Sequence, residues 1–153
     1  LNMGTGSGTP IHHIGSLKGE DTVYLTEGPL KANVAHYYTK KPYIAILGIN
    51  ALSSLDDSMK ALKKAGVKTV VMAIDMDYKT NPHVNKGRNI IIKRLRKYGF
   101  KVNDRFSWDP KYKGIDDFLF WKAYEQGLYK PKFRVRWENS SVHPTPENYS
   151  RFD

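Results

Sequence analysis

Five acidic residues and a few cations have the types and spacing for phosphate chemistry. Glu27 closes the apolar start of VYLTEGPLKA (23–32) and is followed by a Gly-Pro turn and Lys31. Asp75 and Asp77 follow the apolar run TVVM in the stretch AIDMD. Asp116 and Asp117 stand in KGIDDFL. In an extended segment alternate side chains share a face, so the spacing predicts that Asp75 and Asp77 point the same way. Two such carboxylates repel each other unless a cation sits between them. With oxygen donors and no cysteine in the chain, the ion they suit is hard, Mg²⁺ or Mn²⁺. Mg²⁺ keeps several waters and also meets substrate phosphates, so one or two protein carboxylates suffice. Metal-bound Asp75 and Asp77 would neutralise charge during phosphoryl transfer, and Glu27 would relay a proton to or from a hydroxyl or water. Lys31, one helical turn past Glu27, suits either a phosphate oxygen or an i,i+4 pair with Glu27.

The elements that must position these residues alternate along the chain. TVYLTEG (22–28) reads as a strand, and PLKANVAHYYTK (29–40) as a helix with Pro29 in its first turn. YIAILG (43–48) reads as a strand covered on both faces. SLDDSMKALKKAG (54–66) is an amphipathic helix, with Ser54 expected at its N-cap and Gly66 as its stop. KTVVMAID (68–75) is a third buried strand, VNKGRNIIIKRLRKYG (84–99) a long basic helix, FKVNDRFSW (100–108) a fourth strand, and IDDFLFWKAYEQG (115–127) a last helix. This order implies an α/β fold: a Rossmann-like, mainly parallel sheet of about four strands with helices on both faces. Ligands of such sheets collect beyond the C-terminal strand ends, where Glu27 and Asp75 fall. Residues 1–20, rich in Gly, Ser and Thr, read as a flexible arm from a larger protein; residues 21–128 form the domain; the Pro-rich, aromatic residues 129–153 are a tail without a clear pattern.

Composition narrows the function classes. The 153 residues carry 25 Lys and Arg against 15 Asp and Glu, a net charge of +10. That excess favours polyanionic partners: DNA, RNA or nucleotides. Lys79, His83, Lys86 and Arg88 lie just after the Asp-x-Asp pair and suit nucleic-acid phosphates. No apolar run approaches the roughly 20 residues of a membrane span, and the lack of cysteine agrees with a cytoplasmic location. GTGSGT (4–9) lacks the Gly-Lys-Ser/Thr ending of a phosphate loop, and His12 and His13 read as surface residues. A small-molecule nucleotide enzyme is disfavoured, because no G-x-G-x-x-G turn follows the first strand. Phe118, Phe120, Trp121 and Tyr124 read as packing rather than as a platform for bases.

VYLTEGPLKA, VVMAIDMD and KGIDDFL together resemble the Toprim superfamily over roughly residues 20–126. That superfamily is shared by bacterial-type primases, type IA and type II topoisomerases and some nucleases. EGPLKA is similar to a stretch of the type IA topoisomerases, and KGIDDFL to the third acidic motif of plasmid and phage primase-like proteins. The whole is most similar to the Toprim-like domain of mobile-element replication proteins. The resemblance implies Mg²⁺ or Mn²⁺ at Asp75 and Asp77, acid/base and in some members metal-binding work for Glu27, and the third-motif role for Asp116. It implies Mg²⁺-dependent phosphoryl or nucleotidyl transfer on nucleic acid, or a related module that binds without turnover. Primases carry an aspartate four residues after the glutamate; Lys31 stands there instead, which leans toward the topoisomerase-like variant. Asp116 is expected to face the acidic cluster and Asp117 to meet the free N–H groups of the last helix.

Overall fold

The computed structural model describes residues 12–48 and 53–127. Among the described residues ten elements follow in chain order: β1 (His12–Ile14), β2 (Thr22–Glu27), α1 (Pro29–Thr39), β3 (Tyr43–Ile46), α2 (Ser53–Lys64), β4 (Thr69–Met72), a 3₁₀ turn (Met76–Lys79), α3 (Pro82–Lys97), β5 (Lys101–Asn103) and α4 (Ile115–Glu125). The sheet has five strands in the order β1-β3-β2-β4-β5. β2, β3, β4 and β5 pair in parallel, and β1 pairs antiparallel with β3, His13 opposite Ile44. The fold is therefore α/β with a mixed, mostly parallel sheet.

The fifth strand corrects the expectation for residues 1–20. HHI lacks an alternating pattern, yet His12–Ile14 pairs along the open edge of β3. Residues 1–11, including GTGSGT, lie outside the described residues, as do Ile49–Leu52 and 128–153.

Two apolar clusters show why helices cover both faces. On one face Val23, Leu25, Ile44, Ile46, Val70 and Met72 pack against Leu55, Met59 and Leu62 of α2 and Ile91, Ile92 and Leu95 of α3. On the other face Tyr43, Ala45 and Ala73 pack against Ala32 and Ala35 of α1 and Phe120 and Trp121 of α4. β3 is buried at every residue, as a strand covered twice must be. Truncating a fully buried side chain such as Leu95 to Ala would cost about 2–5 kcal/mol. Small alanines on α1 let it lie close over the sheet, which brings the residues at its N-terminus near the strand ends.

Several boundaries differ from those read in the sequence. α2 begins at Ser53, so Ser54 lies inside the helix rather than capping it. α3 begins at Pro82, two residues early, because Asn81 accepts hydrogen bonds from the backbone N–H of His83 and Val84 at 3.0 and 3.4 Å. β5 is only three residues long; beyond it, Asn103 accepts from Arg105 and Phe106 N–H at 3.1 Å and turns the chain away.

Candidate acidic site at the strand ends

Glu27 is the last residue of β2, half-buried, with Gly28 directly behind it. Gly28 has φ 83°, a backbone state natural to glycine, and its N–H donates to Ile46 O at 2.9 Å. That turn swings the chain into α1, which carries Lys31 back over the strand ends.

β4 ends at Met72, so Asp75 stands three residues beyond its strand. Asp75 is buried, 5% exposed. Asp77 lies in the first turn of the 3₁₀ helix, half-exposed. The alternating extended segment expected for Asp75 and Asp77 is thus replaced by a tight turn, and the two do not occupy equivalent strand positions. Met76 N–H donates to Lys113 O at 2.9 Å, which ties the Asp-x-Asp turn to the KGIDD stretch.

Lys31 is the centre of the cluster. Its Nζ donates to Asp75 Oδ1 at 2.8 Å and Oδ2 at 2.7 Å. Its side chain is 30% exposed and that of Asp75 is 7% exposed. The i,i+4 pair with Glu27 is not the contact made, since the hydrogen bonds of Lys31 go to Asp75. Burial alone would lower the Lys31 pKa; the hydrogen bond and charge of Asp75, then Asp116 and Glu27, more than reverse this and raise it.

Asp116 is buried, 4% exposed, and its Oδ1 has no hydrogen-bond partner. Burial pushes its carboxyl above the usual range; the backbone N–H groups of Asp117 and Asp116 and the charge of Lys31 oppose this, and Asp75 adds to it. Glu27 is likewise raised, chiefly by burial and then by Asp75; Lys31 and Lys113 pull it down while Asp77 pushes it up. Lys31 and Asp75 therefore feel both Glu27 and Asp116, and Asp77 adds to the field at Glu27. Asp117, its neighbour in the first turn of α4, is half-exposed.

Gly114 shapes the space between them. A Cβ there would come within 2.5 Å of Asp116 Oδ1 and 3.3 Å of both Asp75 Oδ1 and Lys31 Cε. The sequence reading passed over Gly114; its signal was the glycine immediately before Ile115-Asp116. Among the described residues, no three acidic or histidine side chains stand close enough to share one ion.

The cations assigned to phosphates divide into two sets. Lys79, His83 and Lys86 are exposed. Lys86 lines a shallow cavity of about 360 Å³ on α3 with Asn85, Asn89, Ile90 and Lys93. Arg88 is different. It is 6% exposed, its guanidinium lies 4.1 Å over the Tyr78 ring, and its Nη2 donates to Asp104 O at 2.6 Å. The helical period turns Arg88 inward, where it braces the 3₁₀ turn against α3. His12 Nε2 pairs with Asn33 Oδ1 at 2.8 Å and fastens the edge strand, and His13 is half-buried on the same strand. Phe120 and Trp121 are buried, with Phe118 and Tyr124 packed against the same cluster, as expected of core aromatics.

Residues 18–126 match a family model described as a domain of unknown function, DUF3854, and the chain belongs to that family. Compared with curated proteins, it matches none. Among solved structures it is similar to a protein from Aquifex aeolicus, at 15% identity and a TM-score of 0.43, over 74% of this chain and 87% of that one.

Proposed function

We propose that this is a Toprim-like domain, Rossmann-like in its parallel core, that performs Mg²⁺- or Mn²⁺-dependent phosphoryl or nucleotidyl transfer on DNA or RNA within replication proteins of mobile elements. One observation carries the reading. Three separate stretches of sequence bring Glu27, Asp75 and Asp116 into one electrostatic cluster at the sheet's ligand-binding edge.

The residues present fit a hydrated divalent ion. Asp116 offers a buried carboxylate oxygen without a partner, and Gly114 lets that oxygen approach Asp75 and Lys31 where a Cβ would clash. All donors are carboxylates, and a hydrated ion needs only one or two of them. One or two of Asp75, Asp77, Asp116 and Glu27 would hold it directly. When bound, the ion supplies neutralisation of the charge that develops on phosphate oxygens. Glu27, half-buried and raised in pKa, is suited to hold and pass a proton near a reacting hydroxyl. Lys79, His83 and Lys86, exposed beside the Asp-x-Asp turn, would track a phosphate backbone. Arg88, engaged with Tyr78 and Asp104, supports the turn.

A second reading, binding without turnover, is favoured by the Lys31 ammonium on both oxygens of Asp75. One experiment separates the two. The protein and its Asp75→Asn variant are incubated with labelled single-stranded DNA and nucleotides, with Mn²⁺ or with chelator. Extension or cleavage that requires both metal and Asp75 supports the enzyme; Mn²⁺ binding without product supports the module; the absence of both sinks the Toprim reading.

A further inference from the structure

Among the described residues the shortest ion pair is that between Lys31 and Asp75. Both oxygens of the best-buried acid of the Asp-x-Asp turn are taken by one ammonium, at 2.7 and 2.8 Å. The same ammonium feels Asp116 and Glu27. It stands on a helix rather than on a loop, third residue of α1, so its backbone is held by the α1–sheet packing. Its side chain still has 30% of its surface in solvent. Lysine carries a flexible four-carbon stem, so its head can leave while its backbone stays.

We propose that Lys31 is the resident cation of this site, and that a divalent ion enters by exchange with the Lys31 ammonium at Asp75. The inference rests on the metal reading above and adds how that site is regulated: an internal competitor sets the affinity for the ion. The charge argument is direct. A cluster of buried carboxylates needs a cation. Lysine supplies one positive charge to Asp75 and leaves Asp116 Oδ1 without a partner. A divalent ion supplies two charges and can be reached by both. Gly114 lets these groups draw together, because the atoms nearest its missing Cβ are Asp116 Oδ1, Asp75 Oδ1 and Lys31 Cε.

The consequence runs against the usual expectation for a site residue. Removing Lys31 should strengthen metal binding. Mn²⁺ is titrated by calorimetry into the wild-type chain and into Lys31→Met, which keeps the stem and drops the charge. The variant is expected to bind Mn²⁺ about tenfold more tightly or better, since a buried-site cation–cation repulsion is worth at least that factor, and to melt at lower temperature without metal. Lys31→Gln serves if Lys31→Met does not fold. A measurement on the wild type needs no variant at all. Acetylation of lysines by a water-soluble reagent, followed by mass spectrometry, should speed up at Lys31 when Mn²⁺ is added, while Lys63, which donates to Gly99 O at 3.0 Å, keeps its rate. Equal or weaker Mn²⁺ binding by the charge-free variants overturns the exchange and leaves the metal reading standing. A Lys31 acetylation rate unchanged or slowed by Mn²⁺ does the same. Failure of wild type and variants alike to bind Mn²⁺ overturns both.

Discussion

Lys31 Nζ spans both carboxylate oxygens of Asp75, 44 residues further along the chain. The contact joins the start of α1 to the turn after β4, and so locks two of the three acidic motifs together. It also leaves the third, Asp116, as a buried carboxyl with an oxygen unsatisfied.

That imbalance predicts a pH dependence. Burial raises Asp116 and Glu27 above their ordinary values of 3.8 and 4.5. The folded chain then holds protons that the unfolded chain has released, so stability from these groups falls as pH rises through the ordinary values toward the raised ones. Lys31, raised from 10.5, contributes stability that persists below that value and does not change in the acidic window. Metal-free Asp116→Asn should therefore gain on the wild type in melting temperature as the pH rises above the ordinary 3.8. A difference that is flat or shrinks over that range contradicts the assignment.

Asp116 and Asp117 should separate under metal. Asp116→Asn is expected to reduce the rise in melting temperature caused by Mn²⁺, because its carboxyl faces the cluster. Asp117→Asn should leave that rise nearly intact and lower the metal-free stability by about 0.3–1 kcal/mol, the worth of an acid in a helix's first turn. Thermal melts of both variants, with and without Mn²⁺, check this; equal metal responses would show that the two roles are not divided.

Arg88 should behave as a brace. Arg88→Ala removes the stack on Tyr78 and the bond to Asp104 O, for a loss of about 1–3 kcal/mol. Arg88→Lys should recover little, since an ammonium lacks the planar face. Denaturant melts measure the loss. DNA affinity under folded conditions should stay close to wild type; a selective loss of DNA binding with full stability would return Arg88 to the phosphate set.

Nucleic-acid binding should be salt-sensitive and should follow α3. Lys86→Glu with Lys93→Glu alters two exposed cations on one face of that helix. Fluorescence anisotropy with single-stranded DNA should show weaker binding, and the slope of log affinity against log salt should shrink by about one per lost phosphate contact. An unchanged slope removes α3 from the interface.

The order of strands and helices was legible because each buried strand is a short apolar run followed by a glycine or an acid. YIAI shows this most plainly: four apolar residues, all buried. The three acidic motifs were legible by type. Their geometry was not. Asp75 and Asp77 suggested strand alternation, but no periodicity in AIDMD announces the 3₁₀ turn that starts at Met76. The partner of Lys31 was hidden because i,i+4 spacing points to Glu27, while the true partner is set by how α1 crosses the sheet. Arg88 looked like its basic neighbours, and only the helical phase of α3 against Tyr78 separates it from Lys86. His12–Ile14 carries no strand signal of its own; its place follows from the open edge of β3.

That short first strand bears on where the domain can be cut. The family match begins at residue 18, four residues after β1 ends. A chain trimmed to the matched span would bare the backbone donors and acceptors of β3 along its outer side, beside four buried apolar residues. An unpaired edge of that kind templates pairing with other chains. Trimmed protein is thus expected to associate edge to edge as concentration rises, which light scattering would register, whereas protein that keeps His12–Ile14 stays monodisperse. Three residues outside the matched span would then act as a guard against self-assembly.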